Sequence, residues 1–223
     1  MDCRTPTPGE LKLLLSTRKS CRRYQDREVE PQTIRALAAM AAFIPSGGNR
    51  HAHRFTVLTR GATRERLVRE LTRVYRGRSR LLNSPVLRLL VRPFVGPFTR
   101  EFLRDKEYAG RIRALLAQLE AGEDPVFHGA PAAIIIHSSA LIPTPKEDSV
   151  IAGFALALSA HSMGLGSCFV TLAQSALNAS ARCKAVLGLS PREKVHAVVV
   201  LGYPQAPRAG QPSEREPREI RYA

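Results

Sequence analysis

Two short apolar runs limit what this chain can fold into. Residues 132–138, AAIIIHS, and 195–202, VHAVVVLG, are nearly continuous stretches of aliphatic side chains. Runs of this length are typical of strands that are buried on both faces. Between them, residues 147–164 are apolar almost all round, which predicts a central buried helix that ends at Gly164. A small sheet enclosed by helices is therefore expected.

The remaining segments predict helices packed on that sheet. Pro8 and Pro31 stand at the starts of two stretches with helical spacing of apolar residues, which predicts helices over 8–16 and 31–43. The other predicted elements are a strand at 54–59, a helical excursion over about 61–121 with breaks around Gly77, Pro85, Pro93 and Pro97, a helix at 176–188 and a C-terminal tail at about 203–223. This order predicts one α+β domain over 1–223, without a regular βαβ array.

The charge of the chain is strongly positive and unevenly placed. Its 34 basic and 19 acidic residues give a formal net charge of +15. Residues 60–113 hold 15 basic and five acidic side chains, so this stretch carries +10 of that charge. Such a region can attract nucleic acid, an anionic cofactor or an acidic protein, or form a solvated face. No RNA-binding or zinc-finger pattern is present, so nucleic acid is an unlikely partner.

The sequence argues against several other classes of protein. No run approaches the roughly 20 apolar residues of a membrane span, and the start shows no secretory pattern. The four cysteines have no CxxC spacing, which excludes a typical iron–sulfur or structural zinc module. His51 and His53 have no third ligand at a convincing spacing, so no metal site is predicted. We expect a cytoplasmic protein with no membrane partner.

Four stretches carry polar groups or glycines that packing alone does not explain. In Arg18-Lys19-Ser20-Cys21-Arg22, two guanidinium groups can clamp a phosphate, although a solvated charge run is equally compatible. The second stretch consists of Pro45, Ser46, Gly47, Gly48 and Asn49. Its paired glycines allow close approach to a flat ligand, or form an ordinary turn.

The third stretch, Gly164 to Cys168, contains Leu165, Gly166 and Ser167 after a helix. It lacks the third glycine of a dinucleotide fingerprint, and a glycine helix cap is the plain alternative. The fourth stretch is GYP at 202–204 together with tail arginines that include Arg218, and its plain alternative is a frayed terminus.

In order, the stretches RKSCRRY, IPSGGNRHAHRF, DPVFHGAPAAIIIH, EDSVIAGFALALSAHSMGLGSC and LGLSPREKVHAVVVLGYP resemble the FMN-dependent nitroreductase family. The likeness covers nearly the whole chain and is weakest over 60–120. It is greatest to SGGN-type members, some of which carry an N-terminal ferredoxin domain. The resemblance implies a nitroreductase-like α+β flavoprotein fold and an intertwined homodimer with FMN at the subunit interface.

The resemblance also implies roles for particular residues. Arg18, Ser20 and Arg22, with Lys19 between them, match the residues that hold the FMN phosphate and pyrimidine edge. Pro45 to Asn49 match a loop that reaches the flavin from the partner subunit. Leu165, Gly166 and Ser167 match the segment near the reactive flavin nitrogen, and Arg218 matches a tail residue at the phosphate. NAD(P)H would reduce FMN, and a nitroaromatic, quinone or similar oxidant would reoxidise it by a ping-pong mechanism. No side chain is predicted to be catalytic.

This sequence departs from the family pattern beside the SGGN loop. His51, Ala52 and His53 stand where relatives have glutamine, proline and an aromatic residue, and Thr171 stands where close backbone approach is expected. These differences leave the oxidant open. The alternative functions are a flavin-binding or sensing protein without turnover, and a basic domain that binds nucleic acid or an acidic electron carrier.

Overall fold

Four antiparallel strands form the sheet of this computed structural model, which describes residues 4–139 and 143–206 together with positions 212, 219 and 221. The strands are β1 Arg54–Thr59, β2 Ala132–Ser139, β3 Gly166–Phe169 and β4 Glu193–Gly202, in the order β1-β2-β4-β3. The predicted α+β class is confirmed. The predicted strands match β1, β2 and β4 to within two residues, because each has a continuous run of apolar or β-branched side chains.

Helices cover both faces of the sheet. They are α1 Pro8–Thr17, α2 Pro31–Ala41, α3 Ala62–Asn83, α4 Pro85–Val91, α5 Pro97–Arg104, α6 Lys106–Glu120, α7 Pro145–Ser162, α8 Thr171–Ala179 and α9 Ala181–Val186. Short 3-10 turns lie at Gly47–Asn49 and Arg92–Phe94. Thr7 caps α1 in a capping box with Glu10, which explains why the helix begins at Pro8. None of the described helices is long and apolar enough to cross a membrane.

The alternation of side chains along the central strands divides the core into two parts. Ile135 and Val200 face a cluster that includes side chains of α3, α6 and α8. Ile134 and Ile136 point the other way, into a cluster with Leu37 of α2 and other side chains of α2 and α7. β2 and β4 are therefore buried on both faces, as their composition predicts.

Three local predictions are wrong for identifiable reasons. α3 runs through Gly77 without a break, because a mid-helix glycine costs only about 1 kcal/mol and the helix buries apolar side chains on both sides of it. The helix predicted at 176–188 is two helices, since Ser180 caps α9 through the N–H of Cys183. Residues 166–169 form β3 directly after the glycine cap at Gly164, although only a helix end was predicted there.

The central helix α7 is not buried all round, and this corrects a further prediction. Its Ala152 and Leu156 pack on the sheet, whereas Val150, Ile151 and Phe154 are exposed on the outer face. Helix α1, which contacts α7, also exposes apolar side chains, namely Leu11, Leu13 and Leu15. An apolar face of this extent is typical of a surface that another molecule covers.

Candidate functional site

The cation-rich segment at residues 18–22 lies directly beside β3. The backbone N–H of Cys21 donates to the carbonyl oxygen of Ser167 at 2.8 Å, and Ser20 and Ser167 form a parallel bridge. Arg18 is the C-cap residue of α1, and the thiol of Cys21 is buried, with the residue 1% exposed. The fold therefore brings two of the four sequence stretches, 18–22 and 165–167, into contact.

A glycine at position 166 is required by this close approach. A Cβ atom there would lie 2.6 Å from both Cβ and Sγ of Cys21, which is closer than real side chains come. Leu165 and Ser167 on either side are buried. The Cys21 side chain thus fills the space beside the Gly166 backbone, which lets the two segments lie close together.

The polar groups on the first segment suit an anion. Within the described part of the chain, neither Arg18 nor Arg22 forms an ion pair with a carboxylate. Burial lowers the pKa of the nearby His128, and the positive charge of Arg22 lowers it further, so this imidazole is neutral near pH 7. Two guanidinium groups without protein counterions are a ready site for a phosphate.

His128 is a further residue of the candidate site, and its own sequence pattern did not identify it as one. It is half-buried, it has a positive φ of 56°, and it stands in the turn that leads into β2. Asp124 orders this turn by accepting from the N–H groups of Phe127 at 2.8 Å and Gly129 at 3.2 Å. The HGAP sequence was the available signal, since it includes His128 and directly precedes the buried strand.

The GYP stretch also lies against the first segment. Tyr24 and Pro204 form an antiparallel bridge, and the N–H of Gln25 donates to the carbonyl of Tyr203 at 2.8 Å. The guanidinium of Arg27 stacks on the Tyr203 ring at 3.8 Å. Arg218, the tail residue predicted at the phosphate, lies outside the described residues.

The SGGN loop is held in an unusual backbone conformation. Gly48, Asn49 and His51 all have positive φ angles, of 63°, 54° and 43°. Ser46 stabilises the loop, because its carbonyl accepts from the Asn49 N–H at 2.9 Å and its hydroxyl from the His51 N–H at 3.0 Å. A ring nitrogen of His51 also lies 2.8 Å from Oδ1 of Asn49. Two non-glycine residues with positive φ so close together are typical of a functional loop.

Asp148 anchors this loop to the start of α7. Its carboxylate, on a residue only 5% exposed, accepts from the Gly47 N–H at 3.2 and 3.3 Å and from the Thr144 hydroxyl at 2.9 Å. A Cβ at position 47 would collide with the same threonine hydroxyl at 2.0 Å. The sequence did not point to Asp148, because it lies in another segment, in the first turn of an otherwise apolar helix.

His53 follows the loop and is 9% exposed, and its Nδ1 has no hydrogen-bond partner among the residues that the structure describes. Burial lowers its pKa, and the neighbouring His51 lowers it further, against the opposing charge of Asp148. The ring packs edge-on against Phe55, with the centroids 5.3 Å apart. His53 is thus a neutral aromatic side chain with one unused polar atom.

Within one chain, the two halves of the predicted site lie at opposite ends of α7. The SGGN loop contacts Asp148 at the start, whereas Thr17, next to Arg18, contacts His161 at the end through a 2.9 Å hydrogen bond. Thirteen residues of helix separate these two contacts, which corresponds to about 20 Å. Pro45 to Asn49 are therefore not brought to Arg18, Ser20, Arg22 or Gly166 of the same chain.

Comparison with known proteins identifies the family. Residues 15–203 match the model of the nitroreductase family. The chain belongs to this family. A comparison with curated protein sequences gave no match.

Solved nitroreductases share the fold of this family member at low sequence identity. A nitroreductase with bound FMN from Bacteroides fragilis is 18% identical, with a TM-score of 0.64 over 94% of this chain and 98% of that one. The FMN-dependent nitroreductase NfnB from Mycobacterium smegmatis, in complex with NADPH, is 20% identical, with a TM-score of 0.62 over 95% and 98%. A BluB-like flavoprotein from Clostridium difficile is 18% identical, with a TM-score of 0.68 over 93% and 95%.

Proposed function

We propose that this nitroreductase-family chain is an FMN-dependent oxidoreductase that transfers hydride from NAD(P)H to a small organic oxidant. Family membership supports the flavin chemistry. The observation that carries the proposal is the contact between the cation-rich segment and β3, through the 2.8 Å bond from Cys21 to Ser167. This contact places the segment that carries the guanidinium groups directly beside residues 165–167, and the close approach requires glycine at position 166.

The residues at this contact fit FMN. Arg18 and Arg22 have no carboxylate partner in the part of the chain that the structure describes, which suits the dianionic phosphate. Gly166 lets the 18–22 segment lie directly against β3, because the Cys21 side chain fills the space that a Cβ would take, and this keeps the guanidinium groups beside residues 165–167. When bound, FMN supplies the hydride chemistry in two half-reactions at one place, so no side chain need act as nucleophile or general acid.

The protein's own residues would bind and orient the cofactor. Arg18, Lys19, Ser20 and Arg22 would hold the phosphate and the pyrimidine edge, and Leu165, Gly166 and Ser167 would lie along the ring. Cations near the pyrimidine edge would stabilise negative charge that develops there during the reaction. Arg218 would complete the phosphate site.

We further propose that the site is completed by a second copy of the chain. The SGGN loop lies about 20 Å along α7 from the 18–22 segment of its own chain, so it cannot reach a ligand held there. α7 exposes Val150, Ile151 and Phe154, which suits an isologous contact with the same helix of a partner running in the opposite direction. That arrangement would place each SGGN loop against the other subunit's cation-rich segment.

The oxidant is a small organic molecule of the nitroaromatic or quinone class, which would bind over the flavin after NAD(P)H leaves. His51 and His53 would lie near this position. Because His53 is buried and neutral, it would add no charge beside the oxidant.

An acidic electron carrier is the alternative donor. A cleft of about 950 Å³ between α3 and α6 is lined by Arg60, Arg64, Arg69, Arg73 and Arg76. Four carboxylates share its lining, and Arg64 and Arg76 pair with Asp124 and Glu120. The near balance of charge favours NAD(P)H as donor, and a comparison of NAD(P)H with reduced flavodoxin as reductant decides between them.

The decisive experiment measures the visible spectrum and the released cofactor of the purified protein. We expect FMN at one per chain and NAD(P)H oxidation when a quinone is added. Arg18→Ala and Arg22→Ala should weaken FMN binding at least about tenfold, since each removes a charge-assisted bond to phosphate, whereas Arg23→Ala serves as the control. A colourless protein that does not bind added FMN contradicts the proposal. FMN binding without NAD(P)H oxidation supports the flavin-binding alternative instead.

A further inference from the structure

The helical excursion presents an apolar surface that the flavin proposal does not use. We call residues 85–104, which span α4, the 3-10 turn and α5, the arginine hairpin. In α4, Val86, Leu87, Leu89 and Leu90 are all exposed, with Leu89 at 68%. Phe94, in the following turn, is 86% exposed. Large apolar side chains that project together in this way mark an interaction surface.

The apolar side chains of α4 occupy one broad side of the helix. At 100° per residue, Leu89, Val86, Leu90 and Leu87 span an arc of about 160°, and Arg88 lies on the opposite side. Arg88 is half-buried, and its guanidinium points to the carbonyl of Leu103 at 3.4 Å. The basic residue therefore faces the body of the hairpin, and the apolar arc faces away from it.

The segment that carries this apolar surface is rich in arginine. Residues 84–104 contain four arginines and one glutamate, a net charge of +3. Adjoining clefts of about 210 and 470 Å³ share Arg92, Arg100 and Arg104 in their linings. Backbone carbonyls of Arg92 and Val95 fix the Arg100 side chain at 3.1 and 2.9 Å. Among the described residues, none of the hairpin arginines pairs with a carboxylate.

We propose that the arginine hairpin docks on the surface of a bilayer that contains anionic phospholipids. The apolar arc of α4 and the ring of Phe94 enter the interface between headgroups and acyl chains, and the arginines bind lipid phosphates. The sequence predicts no membrane partner because it contains no spanning segment. A surface contact needs no such segment, and it does not depend on whether the chain binds FMN.

The charge and shape of the hairpin favour a bilayer over a second copy of the chain or a groove on another protein. A second copy would bring the same +3 segment against itself, and like charges oppose that contact. The apolar face of α7, with Val150, Ile151 and Phe154, lies on a helix that contains no arginine and suits a second copy better. A protein groove selects a narrow stripe at i, i+3 and i+4, whereas the arc of α4 is wider and continues into Phe94.

Vesicle co-sedimentation tests the proposal. The full-length protein is mixed with vesicles of phosphatidylcholine alone, or of phosphatidylcholine and phosphatidylglycerol, at about 0.1 M salt, where screening is moderate. We expect binding to the anionic vesicles only, and less binding as salt rises. The double variants L89S/L90S and R92Q/R104Q should each lower the partition coefficient at least about tenfold, because each removes two interfacial contacts.

Matched control variants distinguish binding through this surface from nonspecific binding by any exposed apolar or basic side chain. Val57→Ser changes an exposed apolar residue on β1, and Arg66→Gln changes an exposed arginine on α3, so both should bind like the wild type. Circular dichroism checks that each variant is folded. Equal binding to neutral vesicles, or none to either, overturns the proposal. Two further outcomes would overturn it. If millimolar inorganic phosphate displaces the protein from the vesicles and L89S/L90S has no effect, the arginines form a phosphate site. If L89S/L90S changes the oligomeric state, the apolar surface is a contact between copies of the chain.

Discussion

The N–H of Cys21 donates to the carbonyl oxygen of Ser167 at 2.8 Å, and this bond joins two segments that the sequence keeps far apart. One segment carries Arg18 and Arg22, neither of which pairs with a carboxylate among the residues that the structure describes, and the other carries Gly166 at the start of β3. The cation-rich segment is therefore positioned by the edge of the sheet as well as by the end of α1, where Arg18 is the C-cap residue. Changes at this contact should affect cofactor binding without touching a charged side chain.

Gly166→Ala is the sharpest test of this contact. Its methyl group would lie 2.6 Å from the Cys21 side chain and push the two segments apart. We expect the free energy of unfolding to fall by about 1–3 kcal/mol from overpacking, and FMN affinity to fall with it. Urea denaturation and fluorescence titration with FMN measure the two effects.

Gly110→Ala is the matched control for this change. Gly110 lies in α6 with open space at its Cβ position, so alanine should leave FMN binding unchanged and stabilise the helix by up to about 1 kcal/mol. Equal FMN affinity in Gly166→Ala and Gly110→Ala would show that the close approach at Cys21 does not position the site.

Asp148→Asn tests whether the buried carboxylate holds the SGGN loop. Both oxygens of the Asp148 carboxylate lie near donors, the Gly47 N–H and the Thr144 hydroxyl. An amide replaces one of these oxygens with an NH₂ group, which would face a donor and lose a bond. We expect a loss of about 1–3 kcal/mol in stability and weaker retention of FMN on dilution. The neighbouring Glu147→Gln removes an exposed carboxylate from the same helix turn, and it should change neither quantity appreciably. Similar losses in both variants would indicate an effect of helix charge instead.

The sequence predicted the elements that rest on local signals and missed those that rest on distant contacts. α1 and α2 begin at Pro8 and Pro31 as predicted, and β1 matches its prediction residue by residue. β3 is only four residues long and gains its strand conformation by pairing with β4, so no local sequence pattern predicts it. Because β3 was missed, the local pattern did not predict its contact with residues 18–22, and only the family resemblance, which assigns both stretches to one flavin, implied that they lie close together.

The residues of the candidate site also divide into those with a local sequence motif and those whose role depends on distant contacts. Arg18, Ser20, Arg22 and the SGGN stretch carry recognisable motifs, and their cofactor roles stay predictions. Asp148 carries no motif, since its function here depends on a loop a hundred residues away folding onto it. The exposed face of α7 was also missed, because its outer side carries Val150, Ile151 and Phe154, so the sequence of this helix shows no polar side.

Phe154→Glu tests whether α7 forms the contact between subunits. A carboxylate introduced beside Val150 and Ile151 would be desolvated in a dimer, so we expect a monomer that retains little FMN. Sedimentation velocity and the flavin absorbance of the same sample report both effects. The control, Ala117→Glu, adds a charge to the exposed side of α6 and should remain dimeric. A variant that keeps the wild-type sedimentation coefficient and its flavin argues against this interface.

Four histidines should make the protein less stable in mild acid. Burial lowers the pKa values of His53, His128, His137 and His196 in the folded chain. His137 illustrates the cause, since its ring is buried between the Glu193 carboxylate at 3.0 Å and the Thr56 hydroxyl at 2.9 Å. Burial outweighs the attraction of Glu193, so the ring stays neutral.

Below a pH of about 6.5 the unfolded chain therefore binds more protons than the folded one, and the free energy of unfolding must decrease as the pH falls toward the lowered pKa values. Urea midpoints at pH 7.5, 6.5 and 5.5, in wild type and His137→Gln, measure the slope. Because glutamine does not titrate, the variant should show a shallower decrease than the wild type. A stability that is constant or increases over this interval would mean that these imidazoles are already protonated in the folded protein.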